Sequence, residues 1–122
     1  MDEPVSLAKK LQIKAGQSVV VLYAPPDVKF EIEGSRKVSN AAAADAMVVF
    51  ASNRAELRER ADPFVEAARR DALAWIAYPK AGQLNTDLNR DSLWKLLEDR
   101  GIRPVRQVAI DDVWSALRFR PA

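Results

Sequence analysis

Three unbroken apolar runs restrict this chain more than any other feature: Val19-Val20-Val21-Leu22-Tyr23-Ala24, Ala46-Met47-Val48-Val49-Phe50-Ala51 and Ala72-Leu73-Ala74-Trp75-Ile76-Ala77-Tyr78. A strand with one wet face alternates polar and apolar residues. A strand without that alternation must be covered on both faces, as in parallel sheets flanked by helices. Each run is of strand length, and each stops at a breaker or polar pair: Pro25-Pro26, Ser52-Asn53 and Pro79. Three such strands point to an α/β fold.

The segments between the runs supply the helices. Asn53 with Glu56 fits a capping-box variant, and Leu57, Ala61, Phe64, Val65 and Ala68 recur at helical spacing, so a helix is expected over 54–70. Pro63 lies inside it, where the missing N–H and the ring predict one bent helix or two abutting ones. At the N-terminus, Ser6 caps a short helix through Gln12 that Gly16 ends. Residues 25–45 leave room only for a short strand near 36–39 and one helical turn before Asp45. Thr86 or Asp87 caps a helix whose Leu93, Trp94, Leu96 and Leu97 face inward, and Gly101 closes it. Residues 105–110 and 113–119, joined at Asp111-Asp112, read as an antiparallel hairpin. No repeat or linker interrupts 1–122, so a single domain is expected, and 122 residues bury roughly two-thirds of the unfolded surface.

Composition removes whole classes of chemistry. With neither cysteine nor histidine, the chain has no disulfide, no Cys/His zinc site and no Ser-His or Cys-His nucleophile pair. Nineteen basic against seventeen acidic residues leave a net charge of +2, and acidic residues interrupt the basic runs, so nucleic acid is not an expected partner. The N-terminal MDEPVSLAKKLQ has acidic residues at its head and lacks an apolar core. No apolar run approaches the ~20 residues of a membrane span. A cytoplasmic location without membrane contact is the expectation.

The order of elements from Ala46 to Arg120 resembles the second half of a class I S-adenosylmethionine-dependent methyltransferase. The YPK, TDLNRD and VAIDDVWSALRFR segments resemble a family of short bacterial proteins of unknown function that look like trimmed methyltransferase domains. The resemblance implies a Rossmann-like three-layer sandwich with a mostly parallel sheet and a C-terminal antiparallel hairpin. Its strands would be 19–24, 36–39, 46–51, 72–78, 104–110 and 113–120, in the spatial order 2-1-3-4-6-5. It implies no particular activity. The parent fold holds its cofactor at a glycine-rich turn after the first strand, whereas this chain has Tyr23-Ala24-Pro25-Pro26-Asp27. The acidic residue that would hold the ribose corresponds to Ser39-Asn40. No cofactor is therefore expected.

In open α/β sheets ligands bind beyond the carboxyl ends of the parallel strands. That edge carries Tyr23, Asp27, Arg54, Tyr78, Lys80, Thr86 and Asp87 as candidate ligand-binding residues, with Lys80 and Arg54 suited to an anion. Asp87 equally suits a helix cap, and Asp111-Asp112 suits a turn. On the last strand, Trp114, Arg118 and Arg120 alternate onto one face and, with Trp94, form a candidate interface. Two functions follow. The first is a non-catalytic module that binds a protein partner or a second copy of itself. The alternative is a binder or enzyme for a nucleotide or another small anionic metabolite, using the strand-end crevice.

Overall fold

A computed structural model describes residues 7–14, 16–26, 36–37, 44–80, 82–84 and 86–122. It shows an α/β fold built on one open mixed sheet. The elements in chain order are α1 (Leu7–Lys10), β1 (Ser18–Leu22), β2 (Arg36–Lys37), β3 (Ala46–Phe50), α2 (Arg54–Arg69), β4 (Leu73–Pro79), α3 (Arg90–Leu97), β5 (Ile102–Ala109) and β6 (Trp114–Pro121).

The sheet runs β2-β1-β3-β4-β6-β5, the order expected. β2, β1, β3 and β4 pair in parallel, and β6 then pairs antiparallel with both β4 and β5. β3 and β4 are buried on both sides almost throughout, as their lack of alternation requires, whereas the run of β1 is half-buried from Val21 and exposed at Tyr23 and Ala24. Val20, Met47, Val49, Ile76, Leu117 and Phe119 belong to one face, which α2 and α3 cover with Leu57, Phe64, Leu93 and Leu97. Val19, Val48, Phe50, Trp75 and Trp114 belong to the other, where Leu11 and Ile13 pack after α1. The helical turn expected before Asp45 lies outside the described residues.

Several boundaries moved for local reasons. β1 ends at Leu22 because Tyr23 takes φ 64, a left-handed turn that takes the chain out of the sheet. α1 stops at Lys10 rather than Gln12, where φ reaches 62. α2 is one continuous helix through Pro63. Proline removes one backbone bond there, and the burial of Ala61, Phe64, Val65, Ala67 and Ala68 on either side offsets that loss. Neither Thr86 nor Asp87 caps α3: Asn89 does. Its side chain accepts from the Ser92 amide at 2.8 Å while the Ser92 hydroxyl accepts from the Asn89 amide at 2.9 Å. Asp111 closes the hairpin by accepting from the amides of Val113 (2.8 Å) and Trp114 (2.7 Å). β5 starts two residues earlier than expected, and a register shift between Pro104 and Arg106 accommodates the proline.

Candidate functional site

The carboxyl ends of β1, β3 and β4 open onto one edge, and the side chains there sort into three groups. The first gathers around β1 and β3. The Arg60 guanidinium lies 4.3 Å over the exposed Tyr23 ring. Its Nη1 donates to the Phe50 carbonyl (3.0 Å) and to Glu56 Oε1 (3.1 Å), and the same Glu56 oxygen accepts from the Ser52 amide at 2.8 Å.

The second group fastens the loop before α3 to the start of α2. Asp87 Oδ1 accepts from the Arg54 amide (2.8 Å), and the Asp87 carbonyl accepts from Arg54 Nε (3.2 Å). Thr86 Oγ1 donates to the Ser52 carbonyl (2.7 Å) and accepts from the Leu88 amide (3.0 Å). Asn53 Oδ1 caps a further first-turn amide, accepting from the Glu56 N–H at 2.9 Å. A helix start favours negative charge, and here a carboxylate of the same chain already supplies it. Arg54, Thr86 and Asp87 thus serve one another.

The third group forms a groove of about 160 Å³ lined by Tyr78, Lys80, Asn89, Arg90, Gln107 and Ser115. Four elements meet in it. Tyr78 is near the end of β4, and the β4–β6 register sets Ser115 directly opposite. Gln107 comes from β5, and its Nε2 donates to the Tyr78 hydroxyl at 2.9 Å. Lys80 leaves β4 with its amide bonded to the Val113 carbonyl at 2.7 Å. Asn89 and Arg90 are the cap and first residue of α3.

Burial pushes the Tyr78 hydroxyl above its ordinary pKa, while the charge of Arg90 pulls the other way. The groove therefore meets a ligand with a neutral phenol, two cations and three uncharged hydrogen-bonding side chains. Because the folded state holds the Tyr78 proton more tightly than the unfolded chain, this residue contributes stability below the unfolded pKa of ~10 that is lost as pH rises through the folded value. Urea unfolding at neutral pH and again above pH ~10.5 is expected to show a smaller alkaline loss in Tyr78→Phe than in wild type. Equal losses would contradict this.

The expected residues are thus divided. Tyr78 and Lys80 share the groove; Arg54, Thr86 and Asp87 fasten the loop before α3 to the start of α2; Tyr23 stacks with Arg60; Asp27 lies outside the described residues. Asn89, Arg90, Gln107 and Ser115 were not anticipated. Of the candidate interface, Trp114 offers no surface: it is 3 % exposed and meets Phe50 edge-on at 5.1 Å. The face on which it alternates is a packed core at that end of the strand. Trp94 is half-buried, 6.5 Å from Phe119. Arg118 and Arg120 extend that face toward the other end of β6.

Among the described residues no group of three or more histidine, cysteine, aspartate or glutamate side chains is arranged to hold a metal. None of their helices is long and apolar enough to cross a membrane. The chain matches none of the known protein-family models and none of the curated proteins.

Proposed function

We propose that the protein is a non-catalytic binding module that takes a small anionic group, a carboxylate or a phosphate, in the groove between β4, β5, β6 and α3. One observation carries this reading: Lys80 and Arg90 converge with Tyr78, Asn89, Gln107 and Ser115, and among the described residues no carboxylate lines the same groove. Charge-assisted hydrogen bonds from lysine and arginine are the strongest a protein offers an anion, and an acidic side chain beside them would cancel the attraction. Among the described residues the lining offers neither carboxylate nor histidine as a general base, and Tyr78 keeps its proton at neutral pH. At about 160 Å³ the groove suits an ion or the charged end of a larger molecule, being smaller than the ~300–1,000 Å³ of pockets that enclose drug-sized ligands.

In this reading the domain is Rossmann-like, a trimmed relative of the methyltransferase scaffold that has kept the sheet and moved binding away from the first strand. The strand order and the antiparallel β6 support it. So do the glycine-free turn after β1 and the α2 start already filled by Asp87.

The test is thermal unfolding with inorganic phosphate, sulfate, acetate and succinate, in wild type and in Lys80→Ala and Arg90→Ala. A ligand present at a hundred times its Kd is expected to stabilise the fold by ~2.7 kcal/mol. Each substitution removes a charged hydrogen bond of about 1.5–3 kcal/mol, roughly a ten- to hundredfold loss of affinity. Absence of a shift with every anion, or a shift that survives both substitutions, overturns the proposal.

A further inference from the structure

A second cationic surface lies on the opposite face of the sheet. The antiparallel register sets Arg103 directly across from Arg120 and Arg106 directly across from Arg118. Residues directly opposite share a face, and 118 and 120 are two apart on one strand, so all four arginines project from one side of the hairpin. It is the side away from Leu117 and Phe119, which pack under the helices. Like charges facing each other across a ladder destabilise it, so this arrangement is a cost that the fold carries.

What offsets the four charges is meagre. Asp71 binds Arg120 bidentately, with Oδ1 accepting from Nε and Oδ2 from Nη2, both at 2.9 Å. Arg118 Nη1 donates to the neutral Gln12 Oε1 at 2.7 Å, and its buried Nε has no partner. Among the described residues neither Arg103 nor Arg106, both exposed, has an acidic partner. Among the described residues one carboxylate thus faces four guanidinium groups. The crowding is felt at Arg118, whose pKa falls through burial and through its neighbours Arg120 and Arg106.

We propose that this arginine face docks an acidic, extended segment of a partner protein, as a function separate from the groove. Asp71 demonstrates the fit, because a carboxylate already occupies one fork of the array in two-bond geometry. Successive arginine pairs are about 7 Å apart along the strands, the spacing of alternate side chains in an extended peptide. Acidic residues at every second position therefore meet them in step.

Strand addition is not how the segment binds. Pro104 offers no amide along the β5 edge, and Lys10 Nζ already donates to the Ala109 carbonyl at 3.1 Å. Contact is through side chains across the face. A single-stranded nucleic acid is disfavoured because such strands bind by stacking bases on exposed aromatics. The tryptophans of this face, Trp75 and Trp114, are buried.

Fluorescence anisotropy with a labelled peptide of alternating glutamate and serine tests the proposal, with labelled oligothymidylate of equal charge alongside. Arg103→Gln combined with Arg106→Gln is the informative variant, since both side chains are exposed. The peptide is expected to bind wild type at low salt, to weaken as salt rises, and to lose at least about tenfold in affinity in the double variant. Lys80→Ala is expected to leave peptide binding unchanged, which separates this face from the groove. No peptide binding at low salt, binding unaltered in the double variant, or oligothymidylate binding more tightly than peptide would each overturn the inference.

Discussion

Replacing Trp75 by alanine is expected to remove about 3–5 kcal/mol of stability, the usual range for emptying a buried aromatic site. Trp75 is fully buried at the centre of β4, where the register pairs it with Val48 on one side and Arg118 on the other. Two losses combine. The indole leaves a cavity in a sheet that cannot move its strands together to fill it. Its Nε1 also donates to the Leu11 carbonyl at 3.1 Å, so the substitution strands a buried acceptor and releases the segment that covers this face. Against a total of ~5–15 kcal/mol for a typical domain, the loss takes the protein close to its unfolding threshold. Urea unfolding followed by circular dichroism measures it. Trp75→Phe, which keeps most of the volume and loses the hydrogen bond, is expected to cost less. A loss below ~1 kcal/mol for the alanine variant would show that the site collapses freely.

Phe119→Ala is expected to cost a similar ~3–5 kcal/mol by a different route. Its ring meets Phe64 of α2 edge-on at 5.4 Å and lies 6.5 Å from Trp94 of α3. One side chain on β6 thus ties the hairpin to both helices, and its loss loosens them together. A double-mutant cycle with Phe64→Ala is expected to give a coupling of ~0.5–1.5 kcal/mol, the increment of an edge-to-face pair beyond its buried area. Strict additivity would mean that the rings contribute only as separate volumes. The near-ultraviolet signal of Trp94 offers a second readout, expected to weaken in Phe119→Ala while that of Trp75 persists.

What could be read from the residues was what depends on pattern. The runs of β3 and β4 revealed their two-sided burial because a buried strand needs no polar position, and Asp111-Asp112 marked a turn because the Asp111 carboxylate bonds the amides just beyond it. Pro63 misled in the opposite direction, since local chemistry argues for a break while burial along α2 holds the helix through it. The groove was half legible. Tyr78 and Lys80 follow from the end of β4, but Ser115 and Gln107 arrive through cross-strand register, which no local pattern encodes. Asn89 and Arg90 were hidden because Thr86 and Asp87, a few residues earlier, are equally good cap residues; only the reciprocal bonds between Asn89 and Ser92 decide where α3 starts. The arginine face was half legible: Arg118 and Arg120 share a face by strand alternation, whereas Arg103 and Arg106 join them only through the pairing of β5 with β6.

The mixed sheet has a seam at β4, the strand that carries a parallel partner on one side and an antiparallel partner on the other. Pairing β5 with β6 closes only the short Asp111-Asp112 turn, whereas joining β3 to β4 requires all of α2 to be ordered between them. Loop closure is cheaper for the shorter span, so the hairpin is expected to form before the parallel strands join it. Folding speed is then expected to be set by the parallel half, while the half that carries the arginine face is the part best placed to form while the rest is still searching.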